Sequence, residues 1–440
     1  MNFDLTYIVL PCGAVSDHAP PNFMSHEHPP THADMRTCLR NELADLTAQN
    51  RLRVRPVIDS PDGRVIQLRM EGGRRKLVNW ASNDYLGCAN LRAVKNAASR
   101  ELRRFGAGAG AARLLAGGLA VHRRFEQRLA HWLGAADALL TTSGFQANLA
   151  AMVTLAGDPE DVIILDRACH ASTYDGARLS AGTLLRFRHN DVEDLVRQLE
   201  RTTGARRRIV CVESVYSMDG DEAPLVAIQA LCRERGALLV VDEAHAIGVC
   251  GPGGRGLCAE VGVVPDLLVG TCSKSLGAQG GFLVGDSELI ELAVNRGRSF
   301  IYSTAPVPAA VGAALGALEQ LQAHPEWPAA LCATAVALRA SLRLAGWQVP
   351  AGRTPIIPLM VGDEAAALAL AEALRGLGHH APAIRPPTVP EGGCRLRLTL
   401  TRAHTEADCR RLVVALTSLK PAVTGSAAGS VADSVSGALS

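Results

Sequence analysis

The sequence predicts an α/β protein: a mainly parallel sheet covered by helices on both faces, followed by a smaller α+β unit. Three observations predict it. From about Asn83 to Gly285, short apolar runs alternate with helix-like stretches. The runs are continuously apolar, as in strands buried on both faces, rather than apolar on alternate residues. After "HPEWP" the rhythm changes to "TPIIPLMVG", a helix through "EAAALALAEALRGLG", and "CRLRLTL".

The elements follow in order. The opening "MNFDLTYIVLPCG" lacks a basic segment and carries Asp4, so no signal peptide is expected. "HAPPNFMSHEHPPTHADM" is rich in Pro and His and reads as a disordered extension. His26, His28 and His32 within it read as a solvated tail rather than a metal site. A helical pattern begins near "MRTCLRNELADL", with Met24 or Met35 expected as the natural start. The division expected is an extension over 1–35, a helical and strand segment over 36–82, a large domain over 83–320, a small domain over 321–420, and a disordered Ser/Ala/Gly-rich tail over 421–440.

Within the large domain, "HRRFEQRLAHWLG" follows the 3.6 period, placing Phe125, Leu129 and Trp132 on one face. The strands are "DVIILD", "RRIVCVE", "GALLVVDEAH", "PDLLVGTCSK" and "GGFLVG". Asp166, Glu213, Asp242 and Ser273-Lys274 close four of them. Function in such sheets gathers beyond the carboxyl ends of the strands.

Composition excludes other classes. A net charge of +2 and 4% aromatic residues provide neither a basic face nor a stacking platform for nucleic acid. No apolar run reaches the length of a membrane span. Twelve cysteines without a CxxC pair read as reduced, mostly buried residues of a cytoplasmic protein.

Four lysines stand against 41 arginines, so a lysine marks a position that needs an amine. Lys274 lies among small residues in "GTCSKSLGAQGG". Lysine can lose its proton and form an imine, and arginine can do neither. Asp242 precedes it by one βα unit in "VVDEAH". Those letters also match a helicase motif, but no Gly-Lys pair exists to make its phosphate loop. A buried carboxylate followed by a strand-end lysine suits pyridoxal phosphate: the lysine forms the Schiff base and the carboxylate holds the pyridinium nitrogen. "TTSGFQAN" would bring the backbone N–H groups of Ser143, Gly144 and Phe145 to a phosphate at a helix start. "DRACHAS" puts His170 where its ring can stack on the cofactor. "GAGAGA" from Gly106 matches a dinucleotide pattern only loosely and follows a helix rather than a strand, so it is set aside.

These segments, with "SNDYLG", "ARLLAGG", "RFRHND", "SMDGD", "VDEAHAIGV", "SKSLG", "IYST" and "IRPPTVPEGGCRLRLTLTRAHT", resemble the α-oxoamine synthases over roughly Asn50 to Leu419. The resemblance implies the type I fold of pyridoxal-phosphate-dependent transferases, with a mostly parallel seven-stranded sheet in the large domain and a small C-terminal α+β domain. It implies Lys274 as Schiff base and acid/base, Asp242 on the ring nitrogen and His170 on the ring face. Ser217 and His245 would bond the ring hydroxyl, and Gly144, Phe145 and Thr271 the phosphate. Ser303 and Thr304 would reach the phosphate of a partner subunit in a homodimer. Arg397 would clamp the substrate carboxylate, while Asn83 and Thr388 touch substrate. The family's N-terminal arginine corresponds to Arg51 or Arg53, since "NRLRVRP" allows both registers. Ala112 stands where many relatives have Ser. The "RPPTVP" wording implies the branch that condenses L-alanine with a pimeloyl thioester of coenzyme A or an acyl carrier protein. The competing readings are a sister reaction using glycine or serine, and a catalytically idle cofactor-binding scaffold.

Overall fold

The computed structural model describes residues 31–61 and 63–432. The expectations for 1–30 and 433–440, His26 and His28 among them, lie outside the described residues. Two compact units divide at Val54 and Arg55. The first holds the helix His32–Ala48, opened by a capping box in which Thr31 Oγ1 accepts from Asp34 N–H and Asp34 accepts from Thr31 N–H.

The second unit is built on a seven-stranded sheet. Its order is Asp137–Thr141, Gly281–Gly285, Leu267–Thr271, Leu238–Asp242, Arg207–Glu213, Asp161–Asp166 and Thr183–Phe187. Only Gly281–Gly285 runs against the rest. The apolar runs lie here because both faces of the sheet are packed: Ile163, Ile164, Ile209, Val210 and Val241 are all buried. Residues pack on their cross-strand neighbours. Gly270 faces Phe282, and a Cβ on Gly270 would stand 2.3 Å from the Phe282 ring. The helix Ala120–Leu133 buries Phe125, Leu129 and Trp132, the face its period predicts.

Two smaller sheets complete the unit. Ile356–Gly362, Cys394–Thr399 and Ala383–Ile384 form an antiparallel sheet. Val57–Ile58, Val65–Met70 and Gly73–Asn79 form another, joined in parallel by His379–His380. Strands far apart in sequence thus share one sheet, a pairing that local periodicity does not encode. The final helix, Glu406–Ala432, continues past Lys420, where the composition begins to read as a tail.

Candidate active site

A cavity of about 230 Å³ opens where the central strands end, and Ser143, Gly144, Phe145, His170, Asp242, His245, Thr271 and Lys274 all line it. The parallel strands bring these residues together: Asp242 ends Leu238–Asp242, Thr271 ends Leu267–Thr271, and Lys274 follows three residues later. At one wall the helix Gly144–Leu155 begins. Ser143 caps it by accepting from Gln146 N–H at 3.2 Å. The Thr271 and Ser273 hydroxyls lie 2.8 Å apart beside it. A Cβ on Gly144 would approach Thr271 Cβ to 3.1 Å, so glycine lets the helix start lie close to this strand.

At the other wall Asp242 is held on both oxygens. Asn148 Nδ2 donates to Oδ2 at 2.8 Å, and Ala244 N–H donates to Oδ1 at 2.8 Å. Asn148 also donates to Ser172 Oγ, which is 2.7 Å from His170 Nδ1. One chain of hydrogen bonds therefore runs from Asp242 to His170. His245 is buried, with Nδ1 2.6 Å from the Tyr85 hydroxyl. Burial first, then the cations of Lys274 and Arg397, hold its pKa well below the ordinary value, so the ring is neutral.

Glu213 and Asp242 are cross-strand partners at the ends of adjacent parallel strands. Among the described residues Glu213 Oε1 has no hydrogen-bond partner. Burial and the Asp242 charge raise the Glu213 pKa, against the pull of Lys274. Burial lowers that of Lys274, with Arg397 acting in the same direction and the two carboxylates opposing. An amine so placed loses its proton more readily than one in water.

Arg397 lies outside the cavity lining but is buried beside it. Its Nε donates to Ser217 O at 2.6 Å, and its Nη1 donates to Asn83 Oδ1 at 3.1 Å and Thr399 Oγ1 at 3.0 Å. Ser217 thus meets Arg397 through its carbonyl. Asn83 lines a second cavity, about 360 Å³, which shares Ser273 with the first. Ser303, Thr304 and Thr388 do not line the Lys274 cavity. Thr304 bridges to Ala112, and Thr388 is exposed on the loop after Ile384. Arg51 belongs to the first compact unit.

Asn148, Tyr85 and the pairing of Glu213 with Asp242 escape a reading of motifs alone. A polar residue inside the apolar helix "QANLAAM" was the available signal for Asn148, which is buried.

The site's donors fit pyridoxal phosphate. A helix start and two hydroxyls suit an anionic phosphate, a doubly held carboxylate suits a protonated ring nitrogen, and an amine lines the same cavity. Fold and site together define a type I pyridoxal-phosphate enzyme.

Comparison with known proteins agrees. The chain matches the model of the aminotransferase class I and II family over residues 75–416. It is 45% identical over 382 residues to the 8-amino-7-oxononanoate synthase of Anaeromyxobacter dehalogenans, covering 86% of this chain and 94% of that one. It is 40% identical over 388 residues to the enzyme of the same name from Geobacter sulfurreducens, covering 87% and 97%. Among solved structures, Sphingomonas wittichii serine palmitoyltransferase superposes with a TM-score of 0.82 at 32% identity, covering 90% and 99%. The chain belongs to the aminotransferase class I and II family and, within it, to the α-oxoamine synthases, which are pyridoxal-phosphate-dependent acyltransferases.

Proposed function

We propose that this protein is an 8-amino-7-oxononanoate synthase of biotin biosynthesis. It would condense L-alanine with pimeloyl-CoA, or with pimeloyl-acyl-carrier protein, releasing CO2 and the free thiol. The observation that carries the substrate assignment is the 45% identity to a relative of that name across 94% of its length. A cytoplasmic homodimer is part of the same reading. Among the described residues no helix is long and apolar enough to cross a membrane.

Pyridoxal phosphate, when bound, supplies an electron sink for negative charge at the amino acid's Cα. The chain's own residues do the rest. Lys274 would hold the cofactor through Nζ and, when its amine is free, would take the proton from the amino acid's Cα. Burial lowers its pKa, which makes the neutral amine that both tasks need easier to reach. Asp242, kept in place by Asn148 and Ala244, keeps the ring nitrogen protonated. His170 covers one ring face. Neutral His245 and Ser217 orient the ring hydroxyl. Ser143, Gly144, Phe145 and Thr271 bind phosphate, and Ser303 and Thr304 reach the partner's site. Arg397 pairs with the amino acid's carboxylate. Asn83 and Thr388 would touch substrate, and Arg51 or Arg53 would be the family's N-terminal substrate arginine.

The deciding test is turnover by purified protein with pyridoxal phosphate and pimeloyl-CoA, comparing L-alanine, glycine and L-serine. CoA release with L-alanine, giving 8-amino-7-oxononanoate by mass, is expected. Turnover only with glycine or serine would move the protein to a sister reaction. No turnover with any amino acid, and no spectral response of the bound cofactor, would favour the idle scaffold.

A further inference from the structure

One partly buried cluster of charge lies outside the Lys274 cavity. His189, just beyond the strand Thr183–Phe187, stands between two carboxylates. Its Nδ1 is 3.0 Å from Asp166 Oδ1, and its Nε2 is 2.8 Å from Asp221 Oδ2. Both ring nitrogens face anionic oxygen, which requires a proton on each. Burial alone would lower the His189 pKa, but the two carboxylates outweigh it and raise it to about 10. The ring meets Tyr216 edge-on, with centroids 4.3 Å apart. Asn190 completes the clasp from the left-handed region, φ 54°, a conformation asparagine tolerates. Its N–H donates to Asp166 Oδ2 at 2.8 Å and its Nδ2 to Asp221 Oδ2 at 2.9 Å.

Asp221 closes a loop that leads to the candidate site. Tyr216 N–H donates to Asp221 O at 3.0 Å, and Gly220 N–H donates to Tyr216 O at 2.9 Å. Ser217 lies inside that turn, and its carbonyl holds Arg397. Gly220 has φ +67°, and a Cβ there would come within 2.5 Å of Ile356 O. The loop is therefore pressed against the strand Ile356–Gly362, which pairs with the strand carrying Arg397.

We propose that His189 is a positioning residue for amino-acid recognition. Through Asp221 it fixes the Ser217 carbonyl, and thereby the direction in which the Arg397 guanidinium presents itself to the substrate carboxylate. The inference rests on the reading of Arg397 as the carboxylate anchor. A neutral residue at 189 leaves Asp166 two backbone donors, Ala168 and Asn190, each at 2.8 Å, so the fold survives. Asp221 keeps the Asn190 amide but loses its cation, and the Ser217 turn loosens.

The experiment uses the holoenzyme and three variants: His189→Gln, Asp221→Asn and Arg397→Lys. L-Alanine is titrated without acyl donor, following the visible absorbance of the bound cofactor, and steady-state constants are then measured. For His189→Gln and Asp221→Asn, the Kd and KM for L-alanine should rise about tenfold, the scale of one lost charge-assisted hydrogen bond. Their acyl-donor KM should stay close to wild type, and any change in cofactor affinity should be smaller than the change for L-alanine. A purely structural role would lower Tm without this split between substrates, and that result overturns the inference. So does unchanged alanine binding in both variants while Arg397→Lys weakens it. Unchanged alanine binding in Arg397→Lys would instead remove the anchor reading itself.

Discussion

Asp242→Asn is the sharpest probe of the cavity, because the substitution keeps shape and changes only charge and donor pattern. Both Asp242 oxygens accept from N–H groups, Asn148 Nδ2 at 2.8 Å and Ala244 N at 2.8 Å. An asparagine has one acceptor oxygen and one NH2 group. Whichever way it turns, one of the two donors faces another N–H. The variant therefore loses one buried hydrogen bond to a charged group, worth roughly 1.5–3 kcal/mol. It also offers no negative charge to a protonated ring nitrogen. At about 1.4 kcal/mol per decade, that bond alone corresponds to roughly a ten- to 150-fold loss. Both bonds exist without cofactor, so that loss falls on folding stability, read by urea denaturation of the apoprotein. The missing charge at the ring nitrogen removes a charge-assisted bond of the same roughly 1.5–3 kcal/mol scale. It should lower pyridoxal phosphate affinity, measured by absorbance titration, by a comparable factor, with kcat/KM falling at least as far. Wild-type affinity with kcat/KM within threefold of wild type would refute the assignment of Asp242 to the ring nitrogen.

Three further predictions follow from the same physics. Lys274→Arg should abolish turnover and the imine absorbance band while cofactor still binds, since arginine neither deprotonates nor forms an imine; a retained band would exclude Lys274 as the Schiff base. Gly281→Ala would put a Cβ 2.3 Å from Ser143 C and 2.4 Å from Gly144 N. It should displace the helix start and weaken cofactor binding by more than about tenfold through lost N–H contacts, read by the same titration. Asp408 caps the last helix with Thr405 and pairs with Arg64 at 2.9 Å. Burial would raise its pKa, but the Thr405 and Arg64 contacts outweigh it and bring it down to about 2. The stability this contributes is present above the unfolded value of 3.8 and is lost as pH falls through the folded one. Asp408→Asn should therefore lower urea stability at pH 7, and the gap to wild type should narrow below pH 4. A gap that does not change between pH 7 and pH 3 would contradict the pairing.

The residues of the central sheet were legible because their information is local. A strand buried on both faces must be apolar throughout, so "DVIILD" and "GALLVVD" announce themselves. Parallel strands also end on the same side, so chemistry at those ends converges without further instruction. That is why Asp242 and Lys274 could be read from spacing, and why they line one cavity. Resemblance supplied what spacing could not, including Arg397. Tertiary structure alone decided the rest. The pairing of His379–His380 with Gly73–Asn79 spans most of the chain and leaves no periodic trace. Asn148 looks like one polar residue in an apolar helix until Asp242 stands 2.8 Å away. That the Ser217 carbonyl meets Arg397 is visible only in the fold. His189 was one letter of the "RFRHND" stretch, and only folding puts Asp166 and Asp221 on its two nitrogens. The sequence by itself determined which strands are buried and where their reactive ends fall, since solvation acts residue by residue. Which distant polar groups satisfy one another was decided only by the tertiary structure, because a hydrogen bond depends on position in space rather than separation along the chain.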